Sequence, residues 1–425
     1  MFYFSPSVFA CGESTSLIRG RQITANPLLK RFFGYALVKR NFLHFRGKPG
    51  IIGKSKKEAF PMKVLILSCK TGQGHHSVAN AVLEELENRG HTCEVLDALA
   101  FLGDHTARLM SWGHSFVYCH MPKAFQKGYE VAERHPAALE NGSLAYRYLA
   151  RGSDDLCGYI QAEQFDAVVC THVFAALMFT DVKRRHGFSV TSCFVATDYA
   201  GYPGVDDTEM DIYFIPDDAM EMDYREKPCL VSGIPVRQTF FSSIPLEEAK
   251  EAAGIDPDKK HIVMMCGSMG CGPMEELTKC IAGRMGENCV LSVICGTNQR
   301  LHQKLTDNFG GSSRVQVLGF VQNISQLLDS ADVYVTKPGG ISTTEAMAKG
   351  LPMVLVDAVA GCEDYNMRYF RGIGGAVGSK EPERLASLCM ELLENPARRA
   401  RMSAQLLKKS RNGAKAICDY LEGIK

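Results

Sequence analysis

The sequence predicts an α/β protein built of two Rossmann-like halves facing each other across a cleft. Short apolar runs rich in Val, Ile and Leu recur along the chain, as strands buried on both faces of a parallel sheet require. Several of them, such as 63–68, 261–265 and 332–335, run into a glycine-bearing turn and then a stretch of helical periodicity, the repeating unit of such sheets. The chain has 425 residues, too many for one ordinary domain, and the plan restarts at His261 after a connector.

Taken in order, 63–68 is a buried-strand run, Thr71 to Ser77 the turn after it, and 78–88 an amphipathic helix stopped by Gly90. Strand two is 93–96; further strands are predicted at 167–170, 190–195, 211–215 and 229–231, with helices at 144–162, 174–185 and 218–225. Gly233-Ile234-Pro235-Val236 closes this half, and 237–245 reads as the connector. The second half has strands at 261–265, 290–295, 315–318, 332–335, 353–356 and 376–377, and helices at 274–285, 382–393 and 397–421. The expected division is 1–61 as a basic extension outside the fold, 62–237 as the first half and 238–425 as the second.

Composition narrows the function classes. Apolar residues are 46% and charged residues 22% of the chain, ordinary for a globular protein with a sizeable core. A net charge of +1 gives no general pull toward nucleic acid, and no nucleic-acid partner is expected. The sixteen cysteines include no C-x-x-C pair, and several (Cys170, Cys193, Cys295) sit in apolar runs where a thiol packs as a small hydrophobe. That usage fits a reducing cytoplasm better than a disulfide framework or a zinc site. No stretch reaches the roughly 18–20 apolar residues that span a bilayer. Residues 1–61 carry eleven basic residues against Glu13 and Glu58. A basic arm for anionic lipid and an extension upstream of a start at Met62 are both open.

The chemistry concentrates in 336–366, TKPGGISTTEAMAKGLPMVLVDAVAGCEDYN. A strand ends at Lys337-Pro338, Gly339-Gly340 makes a bare-backbone turn, and Ser342, Thr343 and Thr344 sit where a helix would begin, running 343–349 to the stop at Gly350. A helix N-terminus offers unpaired N–H groups and a positive dipole end to an anion. Glu345, one turn in, suits a neutral donor such as a ribose hydroxyl. After the next strand, Gly361 to Asn366 are polar residues at another C-terminal strand edge, where open parallel sheets collect ligands. The stretch reads as a nucleotide-sugar cradle; spacing alone also allows a plain tight turn.

Other candidates flank it. His75 follows Thr71-Gly72-Gln73-Gly74 at the end of the first strand; a neutral histidine at a helix N-terminus can take a proton, and it can equally cap the helix. Gly267 to Gly272 is a glycine-rich strand-to-helix loop without the lysine of a triphosphate-binding loop. Asp256-Pro257-Asp258 matches the D-x-D of metal-dependent sugar transferases, but beside Lys259-Lys260 it reads as a turn. Leu109, Trp112 and Phe116 fall at helical spacing near Arg108, Lys123, Phe125, Lys127, Tyr129 and Arg134, an aromatic and basic mixture suited to a membrane interface. The basic residues of the last helix, Arg398 to Arg411, add attraction to anionic lipid or form a solvated face.

K-P-G-G-x-S-T-x-E-A followed by G-x-E-x-x-N resembles the donor-binding signature of the monogalactosyldiacylglycerol synthase and processive diacylglycerol glucosyltransferase family, glycosyltransferase family 28. It is similar more distantly to the transferase that adds N-acetylglucosamine to lipid I. The likeness covers 62–366 and implies the GT-B fold. It implies an inverting transfer of glucose or galactose from UDP-glucose or UDP-galactose to diacylglycerol. The UDP-sugar is a co-substrate, and neither a metal nor another cofactor is required. The enzyme would sit in the cytoplasm, peripheral on the inner face of an anionic cell membrane.

The resemblance also implies roles. Gly72 and Gly74 belong to the G-x-G-H motif, with His75 as base and His76 behind it; Asp198, after Thr197, orients His75 or receives the acceptor proton. Gly267, Ser268 and Met269 form a second phosphate-side loop, and Phe320 and Val321 precede the base-binding segment. Gly339, Gly340, Ser342 and Thr343 take the diphosphate, Glu345 the ribose, and Glu363 with Asn366 the hexose. Tyr199 to Gly204 departs from the pattern, lacking a tryptophan-containing stretch of many relatives. The alternatives are a transferase acting on a polyprenyl-linked cell-wall precursor, a UDP-sugar 2-epimerase, and a nucleotide-sugar sensor.

Overall fold

The structure, a computed structural model, describes residues 61–424 apart from 71–72, 104–106, 110–111, 114–115, 118–120, 136–138, 222–223, 225–226 and 357–360. The basic extension up to residue 60 and Gly72 therefore lie outside the described residues.

The first half runs β1 (Lys63–Ser68), α1 (Gln73–Asn88), β2 (Thr92–Asp97), α2 (Pro122–Arg134), α3 (Leu144–Leu149), α4 (Ser153–Glu163), β3 (Ala167–Cys170), α5 (Val173–His186), β4 (Thr191–Val195), β5 (Ile212–Ile215) and β6 (Cys229–Val231). The second runs α6 (Leu246–Ala252), β7 (Lys260–Met265), α7 (Met274–Arg284), β8 (Cys289–Ile294), α8 (Gln299–Phe309), β9 (Val315–Leu318), α9 (Ile324–Asp329) and β10 (Val333–Thr336). It continues with α10 (Gly340–Ala348), β11 (Met353–Leu355), α11 (Cys362–Gly372), β12 (Ala376–Gly378), α12 (Pro382–Leu393), α13 (Pro396–Lys409) and α14 (Gly413–Gly423).

Both sheets are six-stranded, ordered β2-β1-β3-β4-β5-β6 and β12-β11-β10-β7-β8-β9, and every pairing is parallel. The central strands β3, β8 and β10 are buried along their whole length, which is why they read as unbroken apolar runs. Strand order reverses between β1 and β3 in the first sheet and between β7 and β10 in the second. The crevices beyond the C-terminal ends of these pairs are where such sheets take ligands.

The halves share packing. Tyr199 of the first half stacks on Tyr369 at 4.3 Å between ring centres and meets Phe370 edge-on at 4.8 Å. The chain end then returns to the first half: Arg89 pairs with Asp419 and Glu422 of α14, and Tyr420 sits edge-on to Phe214. Gly413 enters α14 against the segment that closes the first half, so closely that a Cβ would stand 2.5 Å from the Gly233 carbonyl oxygen.

Several element boundaries differ from the sequence reading. The first helix begins at Gln73, so His75 and His76 are helical rather than part of the turn. Residues 144–162 are broken by a 3-10 turn at Ala150–Gly152, where a Cβ on Gly152 would meet the Met178 methyl at 3.0 Å. No helix occupies the described part of 218–225. The last helix is two, divided at Ser410–Asn412, with the Asn412 side chain accepting from the Lys415 N–H as a cap.

Candidate active site

The two crevices open into one cavity of about 520 Å³ lined from both halves. The N-termini of α1 and α10 meet there: a Cβ on Gly74 would lie 3.5 Å from the Ile341 side chain. Two positive helix ends therefore converge on one space.

His75 reaches the cavity from the first turn of α1, at the β1/β3 switch point. Its Nδ1 lies 2.8 Å from the Thr171 carbonyl oxygen beyond β3. A carbonyl only accepts, so Nδ1 carries the proton and the neutral ring keeps its lone pair on Nε2. Desolvation in the cleft lowers the ring's pKa from the ordinary imidazole value, opposed by the Asp198 charge and the Thr171 bond. The result is a neutral ring able to accept a proton, although desolvation rather than the helix end is the main cause.

Asp198 also lines the cavity, but it does not bond His75 directly. Its Oδ1 accepts from the Gly340 N–H at 3.2 Å and from Asn366 Nδ2 at 2.7 Å, and its Oδ2 accepts from the Tyr202 hydroxyl at 2.5 Å. The carboxylate thus ties the first half to the start of α10. Asn366 completes the joint instead of facing a sugar: it is fully buried on α11, accepts the Tyr199 N–H at 2.7 Å and donates also to the Pro338 carbonyl at 2.9 Å. Every polar atom of its amide is used, so the expected contact of Asn366 with hexose does not fit this geometry.

α10 starts at Gly340, three residues before the expected position, because Gly339 is extended and its carbonyl takes the Thr343 N–H as first bond of the ladder. The N–H groups of Gly340, Ile341 and Ser342 precede that ladder. Asp198 takes the first, and Ile341 and Ser342 line the cavity, where a phosphate would meet them. Thr343 is buried, with its hydroxyl donated back to the Gly339 carbonyl at 2.8 Å; it shapes the turn rather than lining the cavity. Glu345 does line it, and desolvation raises its carboxyl to about 7, with the Arg237 guanidinium pulling the other way.

On the opposite wall, Gly267, Ser268 and Met269 face the cavity as expected, and Gly267 has φ 72°, a conformation suited to glycine. Lys337 packs under it and pairs with the buried Glu363 at 2.9 Å. Glu363 lies in the first turn of α11, so the polar residues expected at a strand's C-terminal edge begin a helix. Phe320, 66% exposed, and Val321 complete the rim.

Four cavity or near-cavity residues escaped the sequence reading. Lys337 stood in the quoted motif without a role, and Arg237 was placed in the connector. Thr197 stood beside Asp198 without a role of its own, its partner His75 being 122 residues away, and Tyr202 meets Thr197 and Asp198 only in the fold. Away from the cleft, Asp256-Pro257-Asp258 is a turn in which Asp256 accepts the Asp258 N–H. No group of three or more metal-ligating side chains occurs among the described residues. Leu109, Trp112 and Phe116 are exposed, with Trp112 stacked on Phe116 at 5.2 Å. Tyr129, expected with them, instead presses its ring on Gly361. The side chains of Lys123 and Phe125 lie outside the described residues. In α13, Arg399 is spent internally on the Leu392 and Leu393 carbonyls and Asp332.

Comparison with known proteins agrees with this layout. The model of monogalactosyldiacylglycerol (MGDG) synthase matches residues 75–236, and that of glycosyl transferases group 1 matches residues 276–409. Processive diacylglycerol beta-glucosyltransferase of Bacillus pumilus is 26% identical over 340 residues, covering 78% of this chain and 87% of that protein. MurG of Acinetobacter baumannii superposes with a TM-score of 0.58 at 16% identity, covering 85% of this chain and 100% of that one. Anabaena HepE, solved with UDP-glucose, gives 0.53 at 12% identity over 85% of this chain and 99% of that one. With both models matched side by side on a GT-B frame, the chain is a glycosyltransferase that resembles the monogalactosyldiacylglycerol synthase and processive diacylglycerol glucosyltransferase family.

Proposed function

We propose that this enzyme transfers a hexose from UDP-glucose or UDP-galactose to the free hydroxyl of diacylglycerol, inverting the anomeric carbon. The observation that carries this is the placement of a histidine with an unprotonated Nε2 and the open N-terminus of α10 in one cavity. His75 takes the acceptor's proton as its oxygen attacks the anomeric carbon. The bond to the diphosphate breaks on the opposite face, and the departing charge is met by the Ile341 and Ser342 amides and by Lys337. These groups neutralise the leaving group without a metal or another cofactor. Glu345 receives the ribose hydroxyls, Phe320 and Val321 flank the base, and Glu363 with its partner Lys337 faces the hexose.

The relatives' name, a diacylglycerol beta-glucosyltransferase, favours glucose and a lipid acceptor. The exposed Leu109, Trp112 and Phe116 would enter an anionic membrane on its cytoplasmic side, bringing the cleft to its lipid. The test is incubation of the full chain with diacylglycerol liposomes and either donor, followed by lipid mass spectrometry. A lipid heavier by one or more hexoses is expected, formed also in the presence of chelator. His75→Ala should abolish it while UDP binding persists. No product from either donor with UDP still bound would discard diacylglycerol as the acceptor.

A further inference from the structure

We propose that Thr197 and Tyr202 are positioning residues, a two-hydroxyl relay through which the Asp198 carboxylate holds and supports His75. The inference rests on His75 acting as the base. The bonds run in one direction. His75 Nδ1–H, fixed as a donor by the Thr171 carbonyl, also faces Thr197 Oγ1 at 3.1 Å. Thr197 Oγ1, receiving there, has its own proton to give to the Tyr202 oxygen at 2.6 Å, the nearer acceptor, with Asp198 Oδ2 itself at a long 3.5 Å. The Tyr202 hydroxyl donates to Asp198 Oδ2 at 2.5 Å. Burial and the neighbouring Asp198 carboxylate hold the Tyr202 phenol well above its ordinary value, so it keeps the proton it donates.

The consequence is electrostatic. When the acceptor O–H bond breaks and Nε2–H forms, the ring becomes an imidazolium. The polarised hydroxyls let the negative charge of Asp198 stabilise that cation without touching it, and no relay proton has to leave its oxygen. The far end is anchored on the donor side, because the other oxygen of Asp198 holds the Gly340 N–H and Asn366. Tyr202 lies in the Tyr199–Gly204 stretch where this sequence departs from the family pattern, so the relay is read from this chain's own residues. The groups facing His75 are Asp198, Tyr202 with ring centres 6.3 Å apart, and His172 edge-on at 4.4 Å. Across the cavity stand the start of α10 and the Lys337–Glu363 pair.

The test compares Tyr202→Phe, Thr197→Val and Thr197→Ser for kcat, donor KM and the pH profile of kcat. Tyr202→Phe and Thr197→Val should lower kcat by about tenfold or more and leave donor KM within about twofold. Because Asp198 raises the His75 pKa, severing the relay should move the acidic limb of the profile to lower pH. Thr197→Ser, which keeps the hydroxyl, should restore both. Wild-type kcat and an unshifted limb in Tyr202→Phe would overturn the relay, as would Thr197→Ser impaired as much as Thr197→Val. The threonine pair gives the same readout if Tyr202→Phe does not fold. Turnover by His75→Ala would instead remove the underlying assignment of the base.

Discussion

His75 and Glu345 occupy the same cavity and are displaced in opposite charge terms by one cause, loss of water. The histidine is pushed toward its neutral form and the carboxyl toward its protonated one, raised to about 7. For Glu345 this has a measurable consequence. An ionised carboxylate accepts from two ribose hydroxyls more strongly than the protonated acid does, so UDP-glucose affinity should rise with pH through about 7 and level off beyond it. UDP-glucose is the suitable probe because its diphosphate does not titrate near neutrality. Glu345→Gln should flatten the curve and bind more weakly at pH 8. The folded state also holds a proton on Glu345 between the unfolded carboxyl value of 4.5 and about 7, so its stability contribution falls as pH rises through that window. An unchanged pH dependence of affinity in Glu345→Gln would remove the ribose assignment. Both residues were legible as polar groups at strand and helix ends. Asn366 differs here from its expected place, since a buried amide bonded to Tyr199, Pro338 and Asp198 looks in sequence like any polar residue of a ligand loop.

At the scale of elements, α10 decides how the halves meet. Glycine opens this helix because the first half crowds it: a Cβ on Gly340 would stand 2.1 Å from the Thr197 carbonyl oxygen and 2.9 Å from Asp198 Oδ1. In an open helix, replacing glycine by alanine would stabilise by about 0.5–1 kcal/mol. Here Gly340→Ala must part α10 from Thr197–Asp198, and a net loss of about 1–3 kcal/mol is expected, with donor turnover falling alongside. Thermal or urea unfolding reads the sign; a melting point at or above wild type would contradict the close approach. Sequence reasoning placed this helix three residues late because glycine carries no helical preference, and only the contact with Thr197 explains it. The strands were legible for the opposite reason: burial on both faces writes itself as Val, Ile and Leu runs such as Val64–Leu67. Residues 397–421 read as one helix in sequence because apolar periodicity continues past the break, although Asn412-Gly413 is a turn dipeptide and Asn412 caps the second helix.

For the whole molecule, the cleft gathers the candidate site residues of both halves and the first half carries an exposed apolar patch. Leu109 is 67% and Trp112 64% exposed, an arrangement that costs solubility unless the surface has a use. Replacing both with serine should reduce sedimentation with anionic vesicles severalfold while leaving UDP affinity unchanged; equal sedimentation would separate the patch from the membrane. The two-half plan was legible from the repeat of strand, glycine turn and helix. The joint between the halves was not, since it is made of contacts such as Asp198–Asn366 that span 168 positions. The most direct test of the account is the anomeric proton coupling of the purified glycolipid, measured by NMR after reaction with an α-linked UDP-hexose. A single displacement with His75 as base requires a β-linked hexose on diacylglycerol. An α-linked product would contradict it.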